Sequence, residues 1–207
     1  MTTTRRAWGR LGRRARFLAA EAAHPALRGT PMAIGPRTRL EMGSAATFDR
    51  GLRCAIAGDS TFHVEGHLRW GDDVFVNTGA FLSVFESLTV GDRCRLGERV
   101  SIHDEDHVFE PVGADRGTYR TSPVVIEDDV WIGAGAIVLR GSRIGAGSVV
   151  AAGAVVRGAF PSGSLIAGVP ARVVRTLTSP TEGGRAPHDQ PSLGEAPTDS
   201  PGHVRSA

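Results

Sequence analysis

Aliphatic residues recur at every sixth position in two stretches of this chain. The longer series is Ile126, Ile132, Val138, Ile144, Val150 and Val156, and the shorter one is Val90, Leu96 and Ile102. A period of six fits neither an amphipathic helix nor simple strand alternation. It fits a parallel β-helix, in which one inward residue per face stacks on its equivalent in the next coil. The pattern therefore predicts an all-β fold of hexapeptide repeats.

Three faces of six residues make a coil of eighteen, so we expect single coils at 90–107, 126–143 and 144–161. A weaker series of the same step lies upstream at Ile34, Leu40, Ala46 and Leu52. Residues 108–123 contain prolines and glycines and show no period, which predicts a loop projecting from a regular coil. The β-helix domain is expected to span 29–177, with this excursion at 108–123.

The two ends of the chain differ from the repeats. Residues 1–28 are rich in Arg and Ala, and their apolar spacing predicts an amphipathic helix. Such a helix could cap the open end of the β-helix, or it could make weak contact with anionic lipid. Residues 178–207 have almost no large apolar side chains, so we expect a disordered tail.

Composition narrows the class of protein. A chain of 207 residues with a net charge of +2 fits one folded domain, and nothing in it predicts a nucleic-acid partner. No apolar run is long enough to span a membrane. The cysteines, Cys54 and Cys94, do not form a disulfide framework, and Cys94 falls at a repeat position filled elsewhere by small residues. We therefore expect a buried Cys94 and a cytoplasmic protein.

The densest group of titratable residues runs from His103 to His107, at the foot of the excursion. A neutral His oriented by a carboxylate can accept a proton near neutral pH. The same residues could instead form a solvated acidic turn or part of a metal site. Trp131 directly precedes an inward aliphatic residue, so its indole should point outward, where it would form a surface for a partner or pack against a neighbouring subunit.

These motifs together resemble the hexapeptide-repeat acyltransferases, in the branch of maltose, galactoside and polysaccharide O-acetyltransferases. The resemblance covers roughly residues 60–176. The residues that carry it are 103–107, the Val130–Ala134 stretch, the Ile144–Val149 stretch and the closing stretch 166–175. It implies a left-handed parallel β-helix, a homotrimer with active sites between subunits, and acetyl-CoA as co-substrate with no permanently bound cofactor or metal.

The resemblance also implies roles for particular residues. The family's catalytic His lies 24 residues before its Trp, which assigns the general base to His107. The acceptor would be a hydroxyl of a sugar, a polysaccharide precursor or a small metabolite. Predicted acceptor contacts are Asn77, His103 and Asp104, and either Asp104 or Asp106 would orient the imidazole. Predicted coenzyme A contacts are Trp131, Ala134, Ala152, Arg157, Arg172 and Arg175.

One position departs from the family pattern, and other functions stay open. Phe85 stands where the sugar acetyltransferases have an acidic acceptor contact, which argues against a simple disaccharide. An N-acetyltransferase acting on an amino sugar or a drug is the main alternative. A γ-type carbonic anhydrase would need three zinc-binding histidines between subunits. A structural β-helix without activity would be expected to have uninterrupted coils.

Overall fold

The computed structural model describes residues 32–110 and 113–177, and all regular structure within them is β. Three sheets, here called faces A, B and C, form the sides of a coiled chain, and their strands pair parallel except for the antiparallel pair Ser164–Gly168 and Ala171–Thr176 that ends face A. Successive coils pair in register on every face, as in the alignment of Val76, Leu96 and Ile132 on face A. The predicted all-β parallel β-helix of hexapeptide repeats is confirmed.

Twenty of the strands belong to the three faces. Face A contains β1 (Ala33–Ile34), β4 (Ala55–Ile56), β7 (Phe75–Val76), β10 (Arg95–Leu96), β15 (Trp131–Ile132), β18 (Val149–Val150), β21 (Ser164–Gly168) and β22 (Ala171–Thr176). Face B contains β2 (Arg39–Met42), β5 (Thr61–Val64), β8 (Phe81–Val84), β11 (Ser101–His103), β16 (Ile137–Val138) and β19 (Val155–Val156). Face C contains β3 (Thr47–Arg50), β6 (His67–Trp70), β9 (Ser87–Val90), β14 (Val124–Ile126), β17 (Arg143–Ile144) and β20 (Ala159–Phe160).

The core is a continuous stack of the inward residues. On face B, Leu82, Ile102 and Val138 lie directly over one another, and each is fully buried. Cys94 is also fully buried, as its small-residue repeat position predicted. Since each coil alone would leave its apolar face exposed, the stack stabilises the coils only as a set.

Coil length is not constant. The coil from Ile126 to Ile144 has the predicted eighteen residues, but the coil from Val76 to Leu96 has twenty. The step from face B to face C, Leu82 to Val90, is eight residues because both strands there have four residues. The coil from Ile34 to Ile56 is longer still, at twenty-two residues, so the step of six fails within it. Leu52, predicted to point inward, is 47% exposed.

The excursion is a two-stranded antiparallel hairpin rather than an irregular loop. It consists of β12 (Glu105–Glu110) and β13 (Gly113–Thr121), with a register shift between His107 and Phe109. It begins three residues before the predicted position 108 because β12 follows the end of face B almost directly. The hairpin leaves the coil at the corner between faces B and C.

The corner between faces C and A carries alternating Arg and Asp residues in the left-handed backbone region. Arg53, Asp73, Arg93 and Asp129 all have φ between 56° and 58°. Arg93 makes two 2.7 Å hydrogen bonds to the Asp129 carboxylate. The side-chain pairs offset part of the strain that a non-glycine residue carries in this conformation.

Two sequence predictions lie outside the described residues, namely the helix over 1–28 and the disordered tail over 178–207. Within 32–110 and 113–177 there is no helix long and apolar enough to cross a membrane.

Candidate active site

The cluster predicted from sequence lies at the end of face B. Strand alternation sends Ile102 and Asp104 into the coil and leaves Ser101, His103 and Glu105 on its outer side. His103 Nε2 lies 2.8 Å from Ser101 Oγ, and its Nδ1 lies 3.5 Å from Glu105 Oε1. Ser83, one coil earlier, donates a hydrogen bond to the same Glu105 oxygen. His103 is therefore held between a hydroxyl and a carboxylate.

Asp104 occupies the interior of the coil, with no exposed surface. Its two carboxylate oxygens accept hydrogen bonds from the backbone N–H groups of Phe85 and Glu86, at 2.7 and 2.8 Å. Burial raises the pKa of Asp104, against the opposing effect of these backbone donors. The residue predicted as an acceptor contact thus fixes the turn between β8 and β9 from the inside.

His107 projects from the coil on β12 and is exposed. Its cross-strand partner is Tyr119 on β13, and the two ring centroids are 4.7 Å apart. Tyr119 in turn packs on Phe85, with centroids 4.5 Å apart. The hairpin therefore places the imidazole above the corner turn that Asp104 holds.

Asp106 faces the opposite side of the hairpin base. Its carboxylate accepts a hydrogen bond from Arg140 Nε, and Arg157 Nη2 lies 3.9 Å away. Both arginines stand at the corner between faces B and C, in the two coils after the hairpin. Asp104 and Asp106, the two carboxylates expected to orient His107, are thus bonded to other groups.

The predicted coenzyme A residues divide into two places. Trp131 is 56% exposed on face A, as its repeat position predicted. Ala134 and Ala152 follow on the corner between faces A and B. Arg172 and Arg175 lie exposed on β22, and Arg175 is in register with Trp131 through Val149 and Leu165. Three strand spacings separate Trp131 from Arg175, or about 14 Å.

Arg157 lies away from the other predicted coenzyme A residues, at the corner between faces B and C that carries Asp106 and the hairpin. Asn77 lies on the same corner between faces A and B as Ala134 and Ala152, in an earlier coil, and its Nδ2 donates to Glu98 at 2.7 Å. In a three-sided coil the corner between B and C lies opposite face A. One chain therefore does not bring His107 next to Trp131 or Asn77.

The part of the chain that the structure describes contains no group of three or more His, Cys, Asp and Glu side chains suited to a metal ion. His63 lies on face B beside Glu41 and Glu65, at 3.4 and 3.5 Å. His67 is on face C, where it contacts Thr47. The four histidines of the described residues, His63, His67, His103 and His107, thus lie on face B, on face C and on the hairpin.

Comparison with known proteins agrees with this architecture. The family description "Bacterial transferase hexapeptide (six repeats)" matches residues 123–158. "Putative lipopolysaccharide biosynthesis O-acetyl transferase WbbJ" of Escherichia coli K12 is 33% identical over 152 residues, covering 69% of this chain and 74% of that protein. The chain belongs to the hexapeptide-repeat acyltransferases. The resemblance inferred from its motifs is confirmed.

Other relatives of this hexapeptide-repeat acyltransferase are acetyltransferases by name. "Probable acetyltransferase Rv3034c" of Mycobacterium tuberculosis is 39% identical over 114 residues, covering 54% of this chain but only 38% of that protein. The crystal structure of a maltose O-acetyltransferase from Clostridium difficile 630 is 27% identical with a TM-score of 0.51, covering 67% of this chain and 71% of the other.

A second solved structure shows the same fold. The hexapeptide-repeat acetyltransferase VCA0836 of Vibrio cholerae, complexed with acetyl coenzyme A, has a TM-score of 0.52 and is 24% identical. The alignment covers 86% of this chain and 92% of that one.

The sequence did not predict three contacts of this acyltransferase, namely Phe85 with Tyr119, Tyr119 with His107, and Arg140 with Asp106. Phe85 was noted as a departure from the family, but its packing on Tyr119 depends on the hairpin. The inward position of Asp104 could have been predicted, because Ile102 fixes the alternation on that strand. Nothing local indicates that Arg140 reaches Asp106, which lies 34 residues earlier.

Proposed function

We propose that this chain transfers an acetyl group from acetyl-CoA to a hydroxyl of a sugar, a polysaccharide precursor or a small metabolite. The main support is an exposed imidazole, His107, on a hairpin beside the corner of a hexapeptide-repeat coil. A general base must reach a substrate hydroxyl, and this position leaves the ring accessible. The relatives named O-acetyltransferases favour a hydroxyl as the acceptor.

His107 is the proposed general base. It takes the proton of the acceptor hydroxyl as that oxygen attacks the thioester carbonyl, and coenzyme A leaves with the sulfur. The transfer is direct, so no acetyl-enzyme forms. Cys54 and Cys94 are buried, and burial raises the pKa of Cys94 to about 11, which suits neither for a nucleophile. The reaction needs no metal and no permanently bound cofactor.

The active unit is proposed to be a homotrimer. His107 and Trp131 lie on opposite sides of one coil, so a site containing both needs two copies of the chain. A threefold arrangement of three-sided coils supplies three equivalent sites of this kind. Asn77 would then join His107 from a neighbouring subunit.

Substrate contacts follow from the same arrangement. Coenzyme A would lie along face A, with its pantetheine arm beside Trp131, Ala134 and Ala152, and its phosphates near Arg172 and Arg175. Arg157 would reach it only from the other subunit. Asn77 and His103 would hold the acceptor, and we propose that Asp104 acts on the acceptor indirectly, by fixing the turn that carries Phe85.

The base assignment is tested by His107→Ala, with thiol release from acetyl-CoA as the assay. General base catalysis contributes about 10²–10⁴-fold, so kcat should fall by that order. His67→Ala is the matched control, since His67 is an exposed histidine on face C. Full turnover by His107→Ala would eliminate the assignment.

The shared site is tested by mixing two inactive variants. His107→Ala and Trp131→Ala subunits, unfolded together and refolded, should form mixed oligomers in which some sites contain both native residues. Activity should return in the mixture and not in either variant refolded alone. A mixture that forms oligomers but stays inactive contradicts a site shared between subunits.

O- and N-acetylation are separated with matched acceptors. N-acetylglucosamine offers only hydroxyls, whereas glucosamine adds a free amine to the same ring. The proposal expects comparable turnover with both members of each such pair in a panel of sugars and sugar nucleotides. Turnover confined to the amine-bearing members would establish the N-acetyltransferase alternative.

The remaining assignments concern location. We propose a cytoplasmic enzyme, which fits the two free cysteines and the use of acetyl-CoA. The partners would be acetyl-CoA and the acceptor, without nucleic acid. Weak membrane-surface contact through 1–28 is tested by sedimentation with anionic vesicles, comparing the full chain with one that lacks those residues.

A further inference from the structure

His107 makes a contact with an aromatic ring that the sequence does not reveal. Among the residues that the structure describes, the side-chain contact made by this imidazole is with the ring of Tyr119. The two neighbouring carboxylates are engaged elsewhere, Asp104 with the 85–86 backbone and Asp106 with Arg140. A general base on an exposed strand needs some group to limit rotation of its ring.

Tyr119 is itself held in place from the interior of the coil. Its other neighbour is Phe85, whose ring lies 4.5 Å away at an angle of 39°. Phe85 sits in a turn whose backbone N–H is bonded to the buried Asp104. A path of direct contacts therefore runs from the core through Phe85 and Tyr119 to the imidazole.

The tilted arrangement suits this task. The Tyr119 and His107 rings meet at 42°, so each ring occupies space that the other would sweep on turning about its Cβ–Cγ bond. Both residues are cross-strand partners in the hairpin, which keeps their backbones adjacent. The phenol oxygen is not needed for the contact, because the ring itself makes it.

We propose that Tyr119 is a positioning residue that holds the His107 imidazole in its reactive orientation, with Phe85 as its support. The inference rests on the proposed function, in which His107 is the base. It adds a specific requirement: the aromatic ring at 119 matters and its hydroxyl does not.

The test compares Tyr119→Leu with Tyr119→Phe, and uses Phe109→Leu as a control on the same hairpin. Phe109 is 76% exposed, so its replacement removes an aromatic ring from the hairpin without disturbing the contacts among Phe85, Tyr119 and His107. Turnover is measured with acetyl-CoA and the panel acceptor that gives the highest wild-type rate. We expect Tyr119→Leu to lower kcat by about tenfold or more, because small misplacements of a catalytic group cost up to about 10²-fold. Its KM values should stay within about twofold of the wild type, and Tyr119→Phe and Phe109→Leu should retain kcat.

A second readout does not depend on turnover. The C–H resonances of the His107 ring, assigned by their absence in His107→Ala, should carry a ring-current shift. That shift should vanish in Tyr119→Leu and persist in Tyr119→Phe. Unchanged resonances in Tyr119→Leu would show that the rings do not meet, and would overturn the proposal.

The outcomes separate this inference from the proposed function. If His107→Ala is inactive but Tyr119→Leu keeps the wild-type kcat, the positioning role alone is wrong. If Tyr119→Phe loses as much activity as Tyr119→Leu, the hydroxyl acts on a substrate and the ring does not suffice. If His107→Ala retains full turnover, the base assignment itself fails.

Discussion

Replacing Asp104 with Ala tests whether the buried carboxylate holds the corner turn. The substitution leaves the Phe85 and Glu86 N–H groups without the acceptor that the buried Asp104 carboxylate provides from inside the coil. A buried unsatisfied donor costs about 1–3 kcal/mol, so two donors cost about 2–6 kcal/mol. Removing a buried charge offsets part of this cost. We expect a net loss of about 2–4 kcal/mol in the free energy of unfolding, which for a typical domain is roughly 5–15 kcal/mol.

The assay is urea unfolding followed by circular dichroism, at equal protein concentration because an oligomer's stability depends on it. Asp128→Ala is the matched control. Asp128 also accepts a backbone N–H, that of Asp92 at 3.0 Å, but its side chain is 52% exposed. Water can replace that acceptor, so the cost should stay below about 1 kcal/mol. If both variants lose the same stability, burial of Asp104 is not the cause and the reasoning is refuted.

Comparing the wild type with Asp104→Asn shows how the Asp104 carboxyl group makes stability depend on pH. Burial raises the pKa of Asp104, so the folded chain binds this proton at a higher pH than the unfolded chain does. The resulting stability is present below the unfolded pKa, about 3.9, and is lost as pH rises through the folded value. The stability of the wild type relative to Asp104→Asn should therefore increase on acidification. A constant difference between pH 7 and pH 4 would contradict the raised pKa.

Three further predictions follow from the corners and the core. Arg93 holds the pKa of Asp129 below its usual range, so the stabilisation by this ion pair is present above about pH 4 and is lost as pH falls through the folded pKa. Arg93→Gln should therefore be less stable than the wild type at pH 7. The difference in free energy of unfolding, measured with urea, should close near pH 3. Because burial raises the pKa of Cys94 to about 11, its thiol should resist iodoacetamide in the native protein and react after unfolding, as mass spectrometry would show. A Cβ at Gly97 would lie 2.7 Å from the backbone nitrogen of Ala134 in the next coil. A Cβ at Gly135 would contact nothing within 4 Å, and its only cost would be the positive φ of 66°. Gly97→Ala should therefore lower the melting temperature more than Gly135→Ala does. Equal shifts for the two alanines would contradict the close approach of the coils.

The direction of each side chain in a regular coil could be predicted from the sequence. The aliphatic step of six fixed the faces, the burial of Cys94 and the exposure of Trp131, because alternation along a strand is local. The same rule applied to Ile102 would have placed Asp104 inside. The motifs around His107 and Trp131 also identified the family.

Contacts between distant parts of the chain could not be predicted from the sequence and were revealed by the fold. Leu52 points outward because coil length varies at the B–C corner, which no single repeat encodes. Tyr119 meets His107 only through the pairing register of a hairpin without periodic signal. Asp106 meets Arg140, 34 residues later, because the coil that follows the hairpin places Arg140 at the corner where the hairpin begins. Local chemistry sets the direction of each side chain, whereas the number of residues per coil and the hairpin register decide which side chains meet.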